Sequence, residues 1–147
     1  MTGSDHAPIT DAKELLNVAE LDAIRFYEVS AQRREETRDP EVGIDIRLRH
    51  AEQEIEVRCA ARVTGDEADF RADASALFSL DHPVQVTEAA MAEFVARVGV
   101  MTVYPYLREA VHQSASKLGV AQPVMKLLRP GDVKVTVSGD DDSAGEH

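Results

Sequence analysis

The side chains able to do chemistry are scattered. Five histidines, His6, His50, His82, His112 and His147, share no spacing suited to a zinc site. Asp81-His82 forms an acid–imidazole pair, but no serine or cysteine nucleophile signature accompanies it. Cys59 is the single cysteine, and its place in an alternating strand pattern predicts a small core residue. Gly65, Gly99 and Gly119 stand alone, so no phosphate loop exists, and the acids Asp140, Asp141 and Asp142 read as a solvated tail. The expectation is no catalytic residue, no metal and no cofactor. An alternative reading keeps a small ligand carrier or enzyme, with His82, Tyr104 or Arg108 in a pocket between sheet and helices.

The run Tyr104-Pro105-Tyr106-Leu107-Arg108-Glu109 concentrates two of the chain's three tyrosines around a proline. Proline lacks an N–H and fits the first turn of a helix, so Pro105 predicts a helix start. Leu107, Val111 and Leu118 follow at helical spacing; Lys117 suits the negative helix end, and Gly119 predicts the stop. A tyrosine can bury its ring while its hydroxyl finds a partner, so both Tyr104 and Tyr106 are expected to anchor this helix.

The elements around this run follow from periodicity. Leu15 and Leu16 are the strong apolar residues of a short helix over 10–18. A strand is predicted over 20–33, with Ile24 and Phe26 alternating with Arg25, Tyr27 and Val29, so that both faces carry apolar residues. Ile44, Ile46 and Leu48 alternate with charged residues, as do Ile55, Val57, Cys59, Ala61 and Val63 in the next strand. Phe70, Ala72, Ala74, Ala76 and Phe78 line one side of a fourth. Such alternation predicts an antiparallel sheet with one dry and one wet face. Thr87 caps a helix reaching about residue 98, interrupted by Gly99. After the last helix, Val133, Val135 and Val137 alternate as an extra strand. The organisation expected is an arm that could carry a short helix (1–19), one domain (20–128), and a C-terminal extension with an acidic tail (129–147).

Composition narrows the function. A net charge of −11, from 27 acids against 16 bases, disfavours nucleic acid and anionic membrane surfaces. No signal-peptide pattern or apolar run of spanning length is present, which together with the lone cysteine points to the cytoplasm.

The aromatic-Pro-Tyr-x-Arg-Glu order resembles the signature of the SecB family of export chaperones. Glu54-Ile55-Glu56-Val57-Arg58, Gly65-Asp66-Glu67-Ala68-Asp69-Phe70 and Ala76-Leu77-Phe78-Ser79-Leu80 are similar to that family's third and fourth strands. The resemblance covers roughly residues 20–128. It implies an α+β, two-layer fold: a curved four-stranded antiparallel sheet with two helices packed on one side. It further implies an ATP-independent holdase, a dimer of dimers, that binds unfolded polypeptides or preproteins for export or serves toxin–antitoxin control. Where the family carries acids thought to engage the translocase motor SecA, this chain has Ala23 and Tyr27, and Arg71 replaces an apolar position beside Asp73. Gln122 replaces an aromatic before a proline, and the valine-alternating segment replaces a closing helix. SecA docking is therefore expected to be weak.

Client binding is expected at Phe78, Leu80, Val100, Met101, Val124, Met125 and Leu127, apolar residues near the fourth strand's end, between the helices and after Pro123. Phe70, Ala72, Ala74 and Ala76 are expected to supply part of a subunit contact, because methyl-sized side chains permit close approach. The motif Tyr104, Pro105, Tyr106, Arg108 and Glu109 is expected to fix the last helix to the sheet.

Overall fold

The computed structural model describes residues 7–126, and within them the alternating segments form one open sheet. The order along the chain is α1 (Ala12–Val18), β1 (Ala19–Arg33), β2 (Glu41–Ala51), β3 (Glu54–Thr64), β4 (Ala68–Leu80), α2 (Glu88–Phe94), a π-helical turn (Val95–Gly99) and α3 (Val100–Leu118). The strands lie side by side as β1-β4-β3-β2, every pair antiparallel. This is the α+β architecture that the family resemblance implies, with β1 and β2 as the edges of the antiparallel sheet that the alternation predicts.

The dry face is sharply drawn. Ile55, Val57, Cys59, Ala61 and Val63 on β3 and Phe70, Ala72, Ala74, Ala76, Phe78 and Leu80 on β4 are all buried. Against them pack Phe94 and Val95, then Val100, Val103, Tyr104, Leu107, Ala110, Val111 and Ala115 of α3. Phe78 meets Phe94 edge-on, ring centres 5.2 Å apart. Phe70, Ala72, Ala74 and Ala76 therefore receive a helix of their own chain rather than a neighbouring subunit. The short side chains that invited close approach are filled from within.

Local signals set the helix ends. Asp11 caps α1 by accepting from the Glu14 N–H at 2.8 Å, and Thr87 caps α2 by accepting from the Ala90 N–H at 3.2 Å. Gly119, at φ 71°, ends α3, with the Gly119 and Val120 amides returning to Ser116 and Ala115. Arg33 donates to the Leu118 carbonyl at 2.6 Å and places a cation at that helix end.

Pro105 does not start the helix; it lies inside α3. An interior proline costs roughly 3 kcal/mol. Val100, Val103 and Tyr104 before it and Leu107, Ala110 and Val111 after it form one buried stripe. Each such side chain contributes about 1.5–3 kcal/mol when fully buried, so an unbroken stripe outweighs the proline. Gly99 likewise interrupts nothing: its backbone is helical, at φ −63°, and the chain continues into α3.

The segment before β1 belongs to the packed body. Ile9 is buried and bridges to Val86, donating to the Gln85 carbonyl at 2.8 Å and accepting from Thr87 at 3.0 Å. Leu15 is fully buried, whereas Leu16 is exposed. The extension over 129–147, including the Val133, Val135 and Val137 alternation and the acidic tail, lies outside the described residues.

Candidate functional site

β1 departs from simple alternation, and the departure builds a groove. Two bulges, one between Leu21 and Ala23 and one between Phe26 and Glu28, each insert a residue opposite β4. Leu21, Ile24, Phe26, Val29 and Ala31 then pair with Phe78, Ala76, Ala74, Ala72 and Phe70, all on the helix side of the sheet. Strict period two would have sent Val29 to the other face. The bulges gather the apolar residues of this edge strand on one side.

The α3 helix stands short of this edge. Between them runs an open groove of about 400 Å³, walled by Phe26 and Val29 from β1 and by Tyr106 and Ala110 from α3. Glu109, Gln113 and Lys117 form its polar rim. Phe26 is 43% exposed, Val29 48% and Tyr106 44%. Leu21, opposite Phe78 on the same side of the strand, adds further exposed apolar surface. The outer backbone edge of β1 has no partner strand among the described residues. An unpaired edge beside an apolar trough fits an extended polypeptide segment, which can add hydrogen bonds to the edge and place alternate side chains in the trough.

A second open groove, about 620 Å³, runs between α3 and the segment after it. Pro105, Arg108 and His112 face Gln122, Pro123, Val124 and Met125 across it. Tyr104 holds that segment: its hydroxyl donates to the Lys126 carbonyl at 2.6 Å, and Met125 is buried beneath. Burial pushes the Tyr104 hydroxyl above its ordinary pKa, against the lowering charge of Arg108. The Arg108 guanidinium lies 5.9 Å from the Tyr104 ring centre.

The outer face of the sheet carries a polar network. The Tyr27 hydroxyl donates to the Glu56 carboxylate, the Ser75 hydroxyl donates to the same carboxylate at 2.8 Å, and Arg49 Nε does so at 3.2 Å. Arg58 grips Asp73 through two bonds of 2.9 and 2.8 Å and lies 3.8 Å above the Tyr27 ring. Burial alone would raise the Glu56 pKa, but the bonds from Tyr27, Ser75 and Arg49 and the Arg49 charge together hold it below the usual carboxylate range. The cross-strand row Arg25, Ser75, Arg58 and Arg47 places three arginines on this face. Arg62 pairs with Asp45 and Arg71 with Glu28. The acids here are largely met by arginines of the same sheet.

Several expected site residues lie elsewhere. Phe78, Leu80, Val100 and Met125 are core residues; Met101 is half-buried and Val124 is exposed. Leu127 lies outside the described residues. Tyr104 is buried and bonded to Lys126, whereas Tyr106, two positions on, falls on the helix flank that faces the groove. Arg108 is half-buried beside Tyr104, while Glu109 is exposed and accepts from Gln113 at 3.2 Å. Sequence reading passed over Phe26, Val29 and Leu21 as groove residues. Their signal was the odd spacing from 21 to 24 and from 26 to 29, which fits one face only with a bulge in each interval. Arg108 lines the second groove, His82 lines neither groove, and the Tyr104 hydroxyl is committed to Lys126. No cluster of three metal-ligating side chains occurs among the described residues, and no helix there is long and apolar enough to cross a membrane.

No protein-family model matches the chain. It is similar to the SecB-like chaperone SmegB of Mycolicibacterium smegmatis, at 41% identity over 141 residues, covering 95% of this chain and 97% of that protein. Among solved structures, the fold is similar to the Mycobacterium tuberculosis Rv1957 SecB-like chaperone in complex with a ChAD peptide from the Rv1956 HigA1 antitoxin. That likeness has a TM-score of 0.67 at 20% identity and covers 80% of this chain and 96% of the other.

Proposed function

This chain belongs to the SecB-like chaperone family, and from that premise we propose that it is an ATP-independent holdase whose β1–α3 groove takes extended, unfolded polypeptide. The observation that carries the groove assignment is the line Phe26, Val29 and Tyr106 beside a strand edge that no other described strand pairs. Exposed apolar surface of this kind binds many sequences, because backbone edge and trough demand no fixed polar pattern. A net charge of −11 keeps such a surface soluble and favours clients with basic segments. Because the Mycobacterium tuberculosis structure holds an antitoxin peptide, an antitoxin segment is one client to test, beside exported preproteins. Val124, exposed on the second groove, and the half-buried Met101 extend the candidate client surface.

A second copy is the other reading of the β1 edge. Laid antiparallel on itself about Phe26 and Val29, β1 sets Phe26 against Val29 and Ile24 against Ala31, apolar on apolar on the helix side of the sheet. That self-complementarity supports a two-fold contact through β1; a homotetramer in the cytoplasm is proposed on family membership. Docking to SecA is proposed to be weak, since Arg58, Arg49 and Arg71 already pair the acids of the outer face.

The deciding experiment combines native mass measurement with capture of a reduced, unfolded protein in the absence of ATP. Suppression of its aggregation, with little binding to the same protein folded, supports the holdase. Equal affinity for both forms overturns it, and loss of binding on assembly reassigns the β1 edge to the subunit contact.

A further inference from the structure

We infer that Tyr27 is a positioning residue for the groove: held on the outer face, it pins the second bulge of β1 and so keeps Phe26 and Val29 together on the side of α3. Tyr27 is the residue inserted between Phe26, opposite Ala74, and Glu28, opposite Asp73. An inserted residue has no ladder partner of its own, so its placement depends on its side chain. That side chain reaches across β4 to β3, where its hydroxyl donates to Glu56 and its ring lies under the Arg58 guanidinium at 3.8 Å. Both partners are themselves fixed, Glu56 by Ser75 and Arg49, Arg58 by Asp73. Ser75, on the strand that Tyr27 crosses, is completely buried.

The bulge matters because a strand's faces alternate residue by residue. Without it, continuing from Phe26 opposite Ala74 would bring Glu28 opposite Ala72 and Val29 opposite Arg71. The groove would then gain a carboxylate and lose an apolar wall. The pattern of β1 already favours the bulged register, and Tyr27 adds the fixed geometry that holds it.

This inference rests on the groove reading above, and its test separates the two. Tyr27→Ala removes the anchor but keeps the extra residue; deletion of Tyr27 removes the extra residue and lets Phe26, Glu28 and Val29 meet Ala74, Asp73 and Ala72 as a regular ladder. Affinity for a reduced, unfolded protein is expected to fall about tenfold in Tyr27→Ala, equivalent to roughly 1.4 kcal/mol, and to stay near wild type in the deletion. Equal losses in both variants, or no loss in Tyr27→Ala with the register also unmoved, overturn the inference. Register is read independently by oxidation of the pair Val29→Cys and Ala72→Cys, which closes readily in an otherwise unchanged chain and poorly with Tyr27→Ala. If Tyr27→Ala fails to fold, Tyr27→Phe, which loses only the hydroxyl, carries both comparisons with smaller losses in the same direction. Register loosened by Tyr27→Ala with client affinity unchanged supports the positioning role and overturns the groove reading alone. A disulfide that closes equally well in both backgrounds overturns the positioning role.

Discussion

Gly99 rests against Val57: a Cβ placed on the glycine would meet the Val57 side chain at 2.6 Å. Its φ of −63° is open to any residue, so glycine is needed here for space and not for backbone freedom. Val57 is fully buried and β-branched, and cannot swing away. This contact sets how closely the helical layer approaches β3. Gly99→Ala is therefore expected to destabilise by about 1–3 kcal/mol through overpacking, despite alanine's better helix propensity. Val57→Ala should recover part of that loss, and a denaturant double-mutant cycle checks it; additive losses would separate the two residues.

The two motif tyrosines should part company. Tyr104→Ala is expected to cost about 3–5 kcal/mol as a buried aromatic, and Tyr104→Phe about 0.5–1.5 kcal/mol for the bond to Lys126. Tyr106→Ala should change stability by no more than about 0.5 kcal/mol yet weaken client binding. Paired denaturant melts and binding titrations distinguish them, and a large melt shift for Tyr106→Ala would return it to the core.

Groove variants test the binding site directly. Phe26→Ser and Val29→Ser, both at exposed positions, are each expected to lower affinity for an unfolded chain about tenfold, roughly 1.4 kcal/mol, while the melting midpoint moves little. Unchanged affinity in both would place client binding elsewhere.

Acid should loosen the outer face. Glu56 has a folded pKa below its unfolded value, so its contribution is complete above the ordinary glutamate range and is lost as pH falls through the folded value. Glu56→Gln is expected to be less stable than wild type at neutral pH and to lose less on acidification. Urea midpoints across the acid range measure this, and parallel curves for the two proteins would remove Glu56 from the account.

Cys59 should be silent until the chain opens. Burial, the larger cause, and the Asp73 charge push its thiol up to about 12. A thiol reagent at mildly alkaline pH is expected to label it only in denaturant. Fast labelling of the native protein would mean that β3 is not covered as described.

The outline of this protein was legible along the chain. Alternation in β2, β3 and β4 reports burial on one face, a local property of each strand, so the sheet could be read directly. The Thr87 cap and the Gly119 stop were legible for the same reason, since each depends on a few neighbouring residues. The Tyr104-Pro105-Tyr106 run pointed to the right family even though its local physics misled, because resemblance does not depend on knowing what each residue packs against.

What the chain could not state alone was how the layers meet. Pro105 reads as a helix start until the buried stripe on both sides of it is seen, and that stripe exists only because β3 and β4 lie beneath. Phe70, Ala72, Ala74 and Ala76 offer a close-approach surface, but only packing decides that α3 fills it and no second subunit does. Tyr104 and Tyr106 are near neighbours in sequence, yet a helix turns by about 100° per residue, so one enters the core and the other faces the groove. The groove needs two bulges in β1, and a bulge is defined by the partner strand that it skips. Periodicity within one segment fixes which residues want burial; which of them find it depends on contacts between segments distant in sequence, and those the tertiary structure alone decides.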